Sequence, residues 1–595
     1  MPDADLLLLP APRHLTRHGG WSTLPARRTI AVPAGWAVPT GWEKAGDAWA
    51  TVTVDATHSA DSYRLTIASD GRHIACQGPA GLRHACATLD QVLVQADAGR
   101  IPTLVIDDAP AFAVRGAMLD VSRDRIPTMA EFANIIAQLA SWKYNHLQLY
   151  VEHTVAYAGH EDAWRGLDPL TPAQLRELDA LCAAQGIELA ANQNCFGHLS
   201  GFLKLPRYQP LAEIAVDGTW DFNGLVTRTG PFSLCPSEPG ARAFVADLLA
   251  QLTPLIRSPW LNIGCDETFD IGQGRSKAAV AARGRATVYL DFVREICAIA
   301  RSHGKRPQFW ADIALEHPEA LDSLPADLLG LAWGYEPDAR FAEWCRQLRG
   351  AGREAWVCPG TSSWRSLTGR TSERQGNLLV AARDGLAEGA TGFLVTDWGD
   401  LGHRQQWPVA LHGLAEAAHR AWSGTAPYDA RAAGLHGLGN AELGPWLDAL
   451  GEADRELRLI GGKLKPDGSR AALRNATALF TDLHLDGEYV GDGAAWDAVD
   501  SRLHALGARR PASSAQVDRE LAHTVAVARL ACQRAAARRR GDRTALRSLA
   551  GTLAALIAEH RELWLARSRA GDPASGGLAN SCAHYTRIQE TLACA

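Results

Sequence analysis

Between Ala113 and about Trp422 the chain repeats one pattern: a short apolar run of strand length, then, in most cases, an amphipathic stretch of helix length. The apolar runs are AVRGAMLDVS, NHLQLYVE, IELAANQN, WLNIGCDE, RPQFWAD, LLGLAWGY, EAWVCPG and TGFLVTDWGD. Strands that alternate with helices pair in parallel, since each helix carries the chain back before the next strand begins. Eight such units over about 290 residues fit a closed (β/α)8 barrel. A doubly wound open sheet uses the same units and is the competing arrangement. No GxGxxG follows a strand, which weakens its nucleotide-binding form.

Helix starts are legible. TMAE, from Thr128 to Glu131, has the spacing of a capping box, and Phe132, Ile135, Ile136 and Leu139 then share one face. TPAQ supplies Thr171 as a cap with Pro172 in the first turn. Residues 1–110 mix short alternating strands with one helix and read as a small α+β domain; no catalytic grouping appears in it. The barrel is assigned to residues 111–424 and a C-terminal helical domain to 425–595, entered through a Gly- and Ala-rich connector. In that last domain Leu553, Leu556, Ile557, Leu563 and Trp564 form an apolar stripe that needs a partner. Packing on the barrel is the expected solution. A homodimer interface, or one wall of the active site, with Arg567 and Arg569 nearby, is the alternative.

With 47% apolar and 21% charged residues among 595, the composition is that of a soluble globular protein. The formal charge of −6 is dispersed, so no nucleic-acid partner is expected. The basic run RAAARRRGDR (534–543) reads as a solvated helix end. Near the N-terminus only four consecutive leucines occur, short of the roughly seven apolar residues of a secretory segment. No run approaches the roughly 18 apolar residues of a membrane span. Twelve scattered cysteines without a CxxC pair suggest buried thiols in a reducing compartment. A cytoplasmic protein without membrane partners is the expectation.

In a (β/α)8 barrel the site lies at the C-terminal strand ends. The fourth run ends on two adjacent acids, Asp266 and Glu267. The second ends on Glu152 and His153, and the third leads to Asn194 and His198. The fifth offers Trp310 and Asp312, the sixth Trp333 and Tyr335, the seventh Trp364, and the eighth Asp397, Trp398 and Asp400. Arg115 opens the first. Aromatic faces stack on the C–H faces of sugar rings, while carboxylates, Arg, His and Asn bind hydroxyls directionally. Each residue also has an ordinary reading: a core Trp, a satisfied buried His198, Asp312 as a helix cap. The acid pair could cap a helix or hold a metal, but it lacks a His at ligand spacing. No metal and no cofactor are expected; a carbohydrate is.

RGAMLDVSRD, WLNIGCDE and TDWGD resemble the first, fourth and eighth strand motifs of glycoside hydrolase family 20, the β-N-acetylhexosaminidases. VEHTVAY, QNCFGHLSGFLK and DETFDIGQGRS are similar to the divergent hexosaminidase D-like branch. The resemblance covers roughly 110–405, and a small N-terminal α/β domain is usual in the family. It implies exo-acting, retaining hydrolysis assisted by the substrate's own 2-acetamido group. Glu267 is then the general acid and base, and Asp266 holds the acetamido N–H. Arg115 binds outer hydroxyls, Trp398 lines the sugar face or the acetamido pocket, and Asp400 takes the place of a usual Glu at the C4 or C6 hydroxyl. Three departures stand out. Cys265 replaces a common Gly, Glu152 ends the second strand, and the seventh strand lacks a Tyr that usually meets the acetamido oxygen, for which Tyr335 is the candidate substitute. Terminal N-acetylglucosamine and N-acetylgalactosamine both stay open. So do another amino sugar, a glycoprotein or glycolipid substrate, and a sugar-binding protein with a decayed site.

Overall fold

The computed structural model describes residues 6–462, 465, 468–485 and 491–595. All eight apolar runs form strands, and they close into a parallel barrel. In chain order the barrel strands are Val114–Asp120, His146–Tyr150, Glu188–Asn192, Trp260–Asn262, Arg306–Trp310, Leu329–Trp333, Ala355–Cys358 and Gly392–Asp397. The eighth pairs with the first, Asp397 opposite Leu119, which completes the ring. The (β/α)8 expectation is therefore borne out and the open sheet is excluded.

One side of the barrel interior is polar. Gln148 donates to Gln308 at 2.7 Å and accepts from Asn192 and Asn262 at 3.1 and 3.0 Å. Three of these buried amides thus converge on Gln148, while the Gln308 Nε2 donor finds no partner among the described residues. The other side is apolar, with Met118, Leu331, Trp356, Cys358 and Leu394. Both sets follow the period of two that a strand imposes.

N-terminal to the barrel lies a seven-stranded mixed sheet, with helix Pro79–Leu93 packed through Leu82, Ala85, Leu89 and Val92. It docks on the N-terminal end of the barrel. There Lys143 Nζ donates to Asp108 at 2.8 Å, and the Trp422 indole donates to the same carboxylate at 2.9 Å.

C-terminal to the barrel, helices Ala515–Arg540 and Arg543–Arg567 form a long antiparallel pair, followed by Gly577–Ala593. The apolar stripe is buried inside the chain. Trp564 is only 5% exposed, and its indole donates to Arg569 O at 2.9 Å. Arg567 bridges Glu131 of barrel helix Met129–Ser141 to Glu520. Arg569 donates to Pro127 O and Pro169 O. The stripe is covered by helices Ala515–Arg540 and Gly577–Ala593 instead of the barrel, which this helix meets only at its C-terminal end through Arg567 and Arg569. The same contact explains why TMAE forms only half a capping box. Thr128 accepts from Glu131 N–H, while the Glu131 carboxylate goes to Arg567.

Two other details differ from the sequence reading. The basic run does end a helix, yet it is not merely solvated: Arg534 is buried on Asp482 at 2.8 Å. And an unforeseen hairpin, Thr219–Phe222 with Val226–Thr229, rises from the loop after the third strand. Its turn is Asn223-Gly224, both left-handed at φ 50° and 69°. Asn-Gly favours that hairpin turn. Among the described residues no helix is long and apolar enough to cross a membrane.

Candidate active site

A cavity of about 590 Å³ opens at the C-terminal ends of the strands. Nine of the fifteen residues singled out from the sequence line it: Glu152, His198, Asp266, Glu267, Trp310, Trp333, Tyr335, Trp398 and Asp400. His153, Asp312 and Asp397 do not, and neither do Arg115, Asn194 and Trp364. Arg115 opens its strand at the opposite end of the barrel, where it donates to Phe112 O and Lys143 O and meets Asp61. The length of strand Val114–Asp120 separates it from the residue that does reach the cavity, Arg123, which lies just beyond the strand's C-terminal end. Asn194 is buried beneath the cavity and donates to Val151 O at 3.0 Å. Trp364 is buried behind Tyr335, edge to face at 5.0 Å.

The acid pair sits where the fourth strand has ended. Regular pairing stops at Asn262; Gly264, Cys265 and Glu267 then take left-handed φ of 72°, 80° and 53°. A Cβ on Gly264 would lie 2.3 Å from Asn194 Oδ1, so that position admits only glycine. This twist frees two neighbouring side chains from the strand rule that sends them to opposite faces. Both carboxylates reach His198, whose Nε2 lies 3.2 Å from Asp266 Oδ2 and 3.5 Å from Glu267 Oε2. The turn is pinned by two hydrogen bonds. Tyr289 donates to Cys265 O at 2.9 Å, and Glu267 N–H donates to Asp312 at 3.0 Å.

The charges are ordered by burial and pairing. Burial favours neutral His198, but the adjacent Asp266 and Glu267 win and lift its pKa to about 9. Burial raises the Glu267 carboxyl, with Asp266 adding to the rise and His198 opposing it. Asp312 is pushed well above the carboxylate range by burial and then by Asp266. The cluster thus holds protons near neutral pH, as an acid-base site requires. On the far side of His198, Glu152 Oε1 lies 3.6 Å from Nδ1, and Arg123 joins Glu152 to Asp120 at 3.1 and 3.0 Å.

The remaining wall is aromatic. Trp333 and Tyr335 stack at 5.3 Å, and the Trp398 indole donates to Tyr335 Oη at 2.8 Å. Tyr150 meets Trp398 edge to face at 4.7 Å, with Arg123 over both rings. Asp397 turns away and accepts from Thr361 and Ser363. Beside Arg123, the residues that sequence reasoning missed are chiefly Phe222, Leu225, Arg228 and Phe232 of the hairpin region, Arg365, and Asn475. The Asn-Gly turn signalled the hairpin. Nothing in the sequence signalled Asn475, which comes from the C-terminal domain. Among the described residues no three His, Cys, Asp or Glu side chains are arranged to hold a metal.

Comparison with known proteins places this architecture. Residues 112–347 match the model for the glycosyl hydrolase family 20 catalytic domain, and residues 6–109 match the model for domain 2 of that family. The chain is 28% identical over 292 residues to a β-hexosaminidase of Akkermansia muciniphila, covering 44% of this chain and 58% of that protein. It is 26% identical over 326 residues to a β-hexosaminidase of Vibrio furnissii, covering 47% of this chain and 52% of that protein. It thus spans little more than half the length of these relatives. Among solved structures, the exo β-N-acetylglucosaminidase of Vibrio harveyi superposes with a TM-score of 0.58 at 18% identity, over 70% of this chain and 73% of that one. The β-N-acetylhexosaminidase of Bacteroides fragilis gives 0.57 at 14% identity, over 71% and 92%.

Proposed function

Since the chain belongs to glycosyl hydrolase family 20, we propose that it removes terminal β-linked N-acetylhexosamine by retaining, substrate-assisted hydrolysis. The observation that carries this reading is the acid pair sharing one protonated His198 inside an aromatic cavity. Glu267, with a raised pKa, protonates the glycosidic oxygen and later, as base, takes a proton from water. Asp266 orients the acetamide N–H, so that its carbonyl oxygen attacks the anomeric carbon. Tyr335, held by Trp398, meets that oxygen, while Trp310, Trp333 and Trp398 enclose the methyl group and the ring face. Arg123, in place of Arg115, receives the outer hydroxyls together with Asp400.

The eleven buried, unpaired cysteines support a reducing compartment, in keeping with a cytoplasmic enzyme. Placement in the hexosaminidase D-like branch rests on the VEHTVAY, QNCFGHLSGFLK and DETFDIGQGRS segments.

Hydrolysis of p-nitrophenyl β-GlcNAc, β-GalNAc, β-glucoside and β-galactoside, assayed together, tests the proposal. Turnover of one or both N-acetyl sugars, with little of the others, is expected. Comparable turnover of the plain glucoside contradicts the mechanism. Binding of the N-acetyl sugars without any turnover points instead to a decayed, sugar-binding site.

A further inference from the structure

Arg228 lies on the second strand of the hairpin and lines the cavity. Its guanidinium carbon sits 3.7 Å from the Phe222 ring centre, with Phe232 at 5.5 Å and Trp220 at 5.6 Å. Among the described residues its guanidinium makes no hydrogen bond and no ion pair. Stacking on rings engages the faces of a guanidinium and leaves its five N–H donors free at the edge. Such a fork matches an oxyanion.

The hairpin forms the outer lip of the cavity beside the acid loop. Asp221 and Gln273 exchange two hydrogen bonds, at 2.8 and 2.9 Å, and Phe222 meets Phe269 at 5.1 Å. Leu225 and Val226 at its tip are 60% and 52% exposed. The tryptophans that would enclose the terminal sugar lie deeper; Trp310 and Trp398 are buried. Whatever follows the cleaved bond therefore leaves past Glu267 and past this lip. The carboxylates of Glu267 and Asp400, which line the same cavity, lie within electrostatic reach of Arg228 but form no ion pair with it, so its N–H fork stays open to an anion on the substrate.

We propose that Arg228 determines specificity on the leaving-group side, where it receives the carboxylate or sulfate of an acidic sugar linked to the cleaved N-acetylhexosamine. The proposal rests on the hydrolase reading above. A neutral leaving group gains at most a hydrogen bond from Arg228; an acidic one gains a forked, charge-assisted pair.

The test compares kcat/KM of the full chain on two disaccharides that differ only in the leaving sugar, glucuronic acid or glucose, with p-nitrophenyl β-N-acetylhexosaminide as control. Wild type is expected to prefer the acidic disaccharide by about tenfold or more at low ionic strength, with salt eroding the preference. Arg228→Gln brings the ratio near one, and Arg228→Lys, which keeps the charge without the fork, leaves it between. A wild-type ratio near one, or a ratio unmoved in Arg228→Gln, overturns the proposal while activity on the control substrate leaves the hydrolase reading standing. Loss of the acidic preference in favour of a 6-O-sulfated terminal sugar also overturns it, because the anion then sits on the other side. No turnover of the control substrate contradicts the hydrolase reading itself.

Discussion

The backbone N–H of Glu267 donates to the Asp312 carboxyl at 3.0 Å, which ties the left-handed turn of the acid pair to the fifth strand. Asp312 is buried beside Asp266 and holds its proton well above the usual carboxylate range. Asp312→Asn keeps both the acceptor and the neutral charge, so folding and turnover should change little. Asp312→Ala strands a buried N–H, which costs about 1–3 kcal/mol of stability, and it should lower kcat by about tenfold or more as the turn loosens.

The same residue gives a pH dependence of known sign. Unfolded, Asp312 ionises near its ordinary 3.8; folded, it keeps its proton to higher pH. The native state therefore binds more protons above that value, and its stability falls as pH rises toward the folded pKa. Asp312→Asn lacks this fall. Its Tm relative to wild type should climb as pH rises above the ordinary 3.8 toward the raised folded pKa. A Tm difference independent of pH in thermal melts contradicts this.

His198 is the shared cation of the cluster. Its folded pKa of about 9 exceeds the ordinary 6.5, so its contribution to stability is complete below about 6.5 and is lost as pH rises through about 9. It also lowers the Glu267 pKa. In His198→Asn the alkaline limb of kcat/KM should move to higher pH, with kcat down by about 10²-fold as Asp266 loses its partner. A pH–rate profile with an unmoved limb removes His198 from the acid-base machinery.

Cys265 sits at φ 80°, a conformation that favours glycine, with its side chain fully buried. Backbone strain of about 1–3 kcal/mol there opposes the gain from burying the thiol. Cys265→Gly should therefore stay within about 1 kcal/mol of wild type. Cys265→Val, β-branched at positive φ, should lose about 2–3 kcal/mol or more. Chemical denaturation separates the two.

Asn475 is the C-terminal domain's contribution to the cavity. It is left-handed at φ 55°, with its N–H on Glu336 at 2.7 Å and its Oδ1 accepting from Arg370 at 3.1 Å. Asn475→Gly preserves that backbone and removes only the side chain. It should reduce kcat/KM by about five- to tenfold and lower stability by about 1–3 kcal/mol, because the buried Arg370 donor loses its acceptor. If kcat/KM is unaffected, the C-terminal domain is a scaffold only.

The fold was legible because the barrel strands are buried on both sides and read as apolar runs bounded by helix caps, as in LLGLAWGY and EAWVCPG. Nine of the fifteen candidate residues reach the cavity for the same reason: the C-terminal end of a parallel strand is a fixed place. Arg115 failed because it begins its strand instead of following it, although Arg123 stands in the same motif. Trp364 failed because a residue two positions beyond a loop turn can point back into the core as easily as outward. Arg228 lies in TWDFNGLVTRT, outside the eight apolar runs and so without a strand-end position to mark it, and Asn475 makes its contact across more than 130 residues, here with Glu336, which leaves no local pattern. At position 265 the left-handed φ accounts for the common Gly, and the cysteine keeps that backbone as a small, fully buried side chain.

The central claim is that the substrate's acetamide, not an enzyme carboxylate, attacks the anomeric carbon. Fluorinating the N-acetyl methyl group weakens that oxygen as a nucleophile while leaving the leaving group untouched. The measurement is kcat/KM for p-nitrophenyl substrates bearing N-acetyl, N-fluoroacetyl and N-trifluoroacetyl groups. A steep fall along the series, steeper than any change in binding, is predicted. Rates that stay level across the three would show that the nucleophile belongs to the protein and would contradict the account.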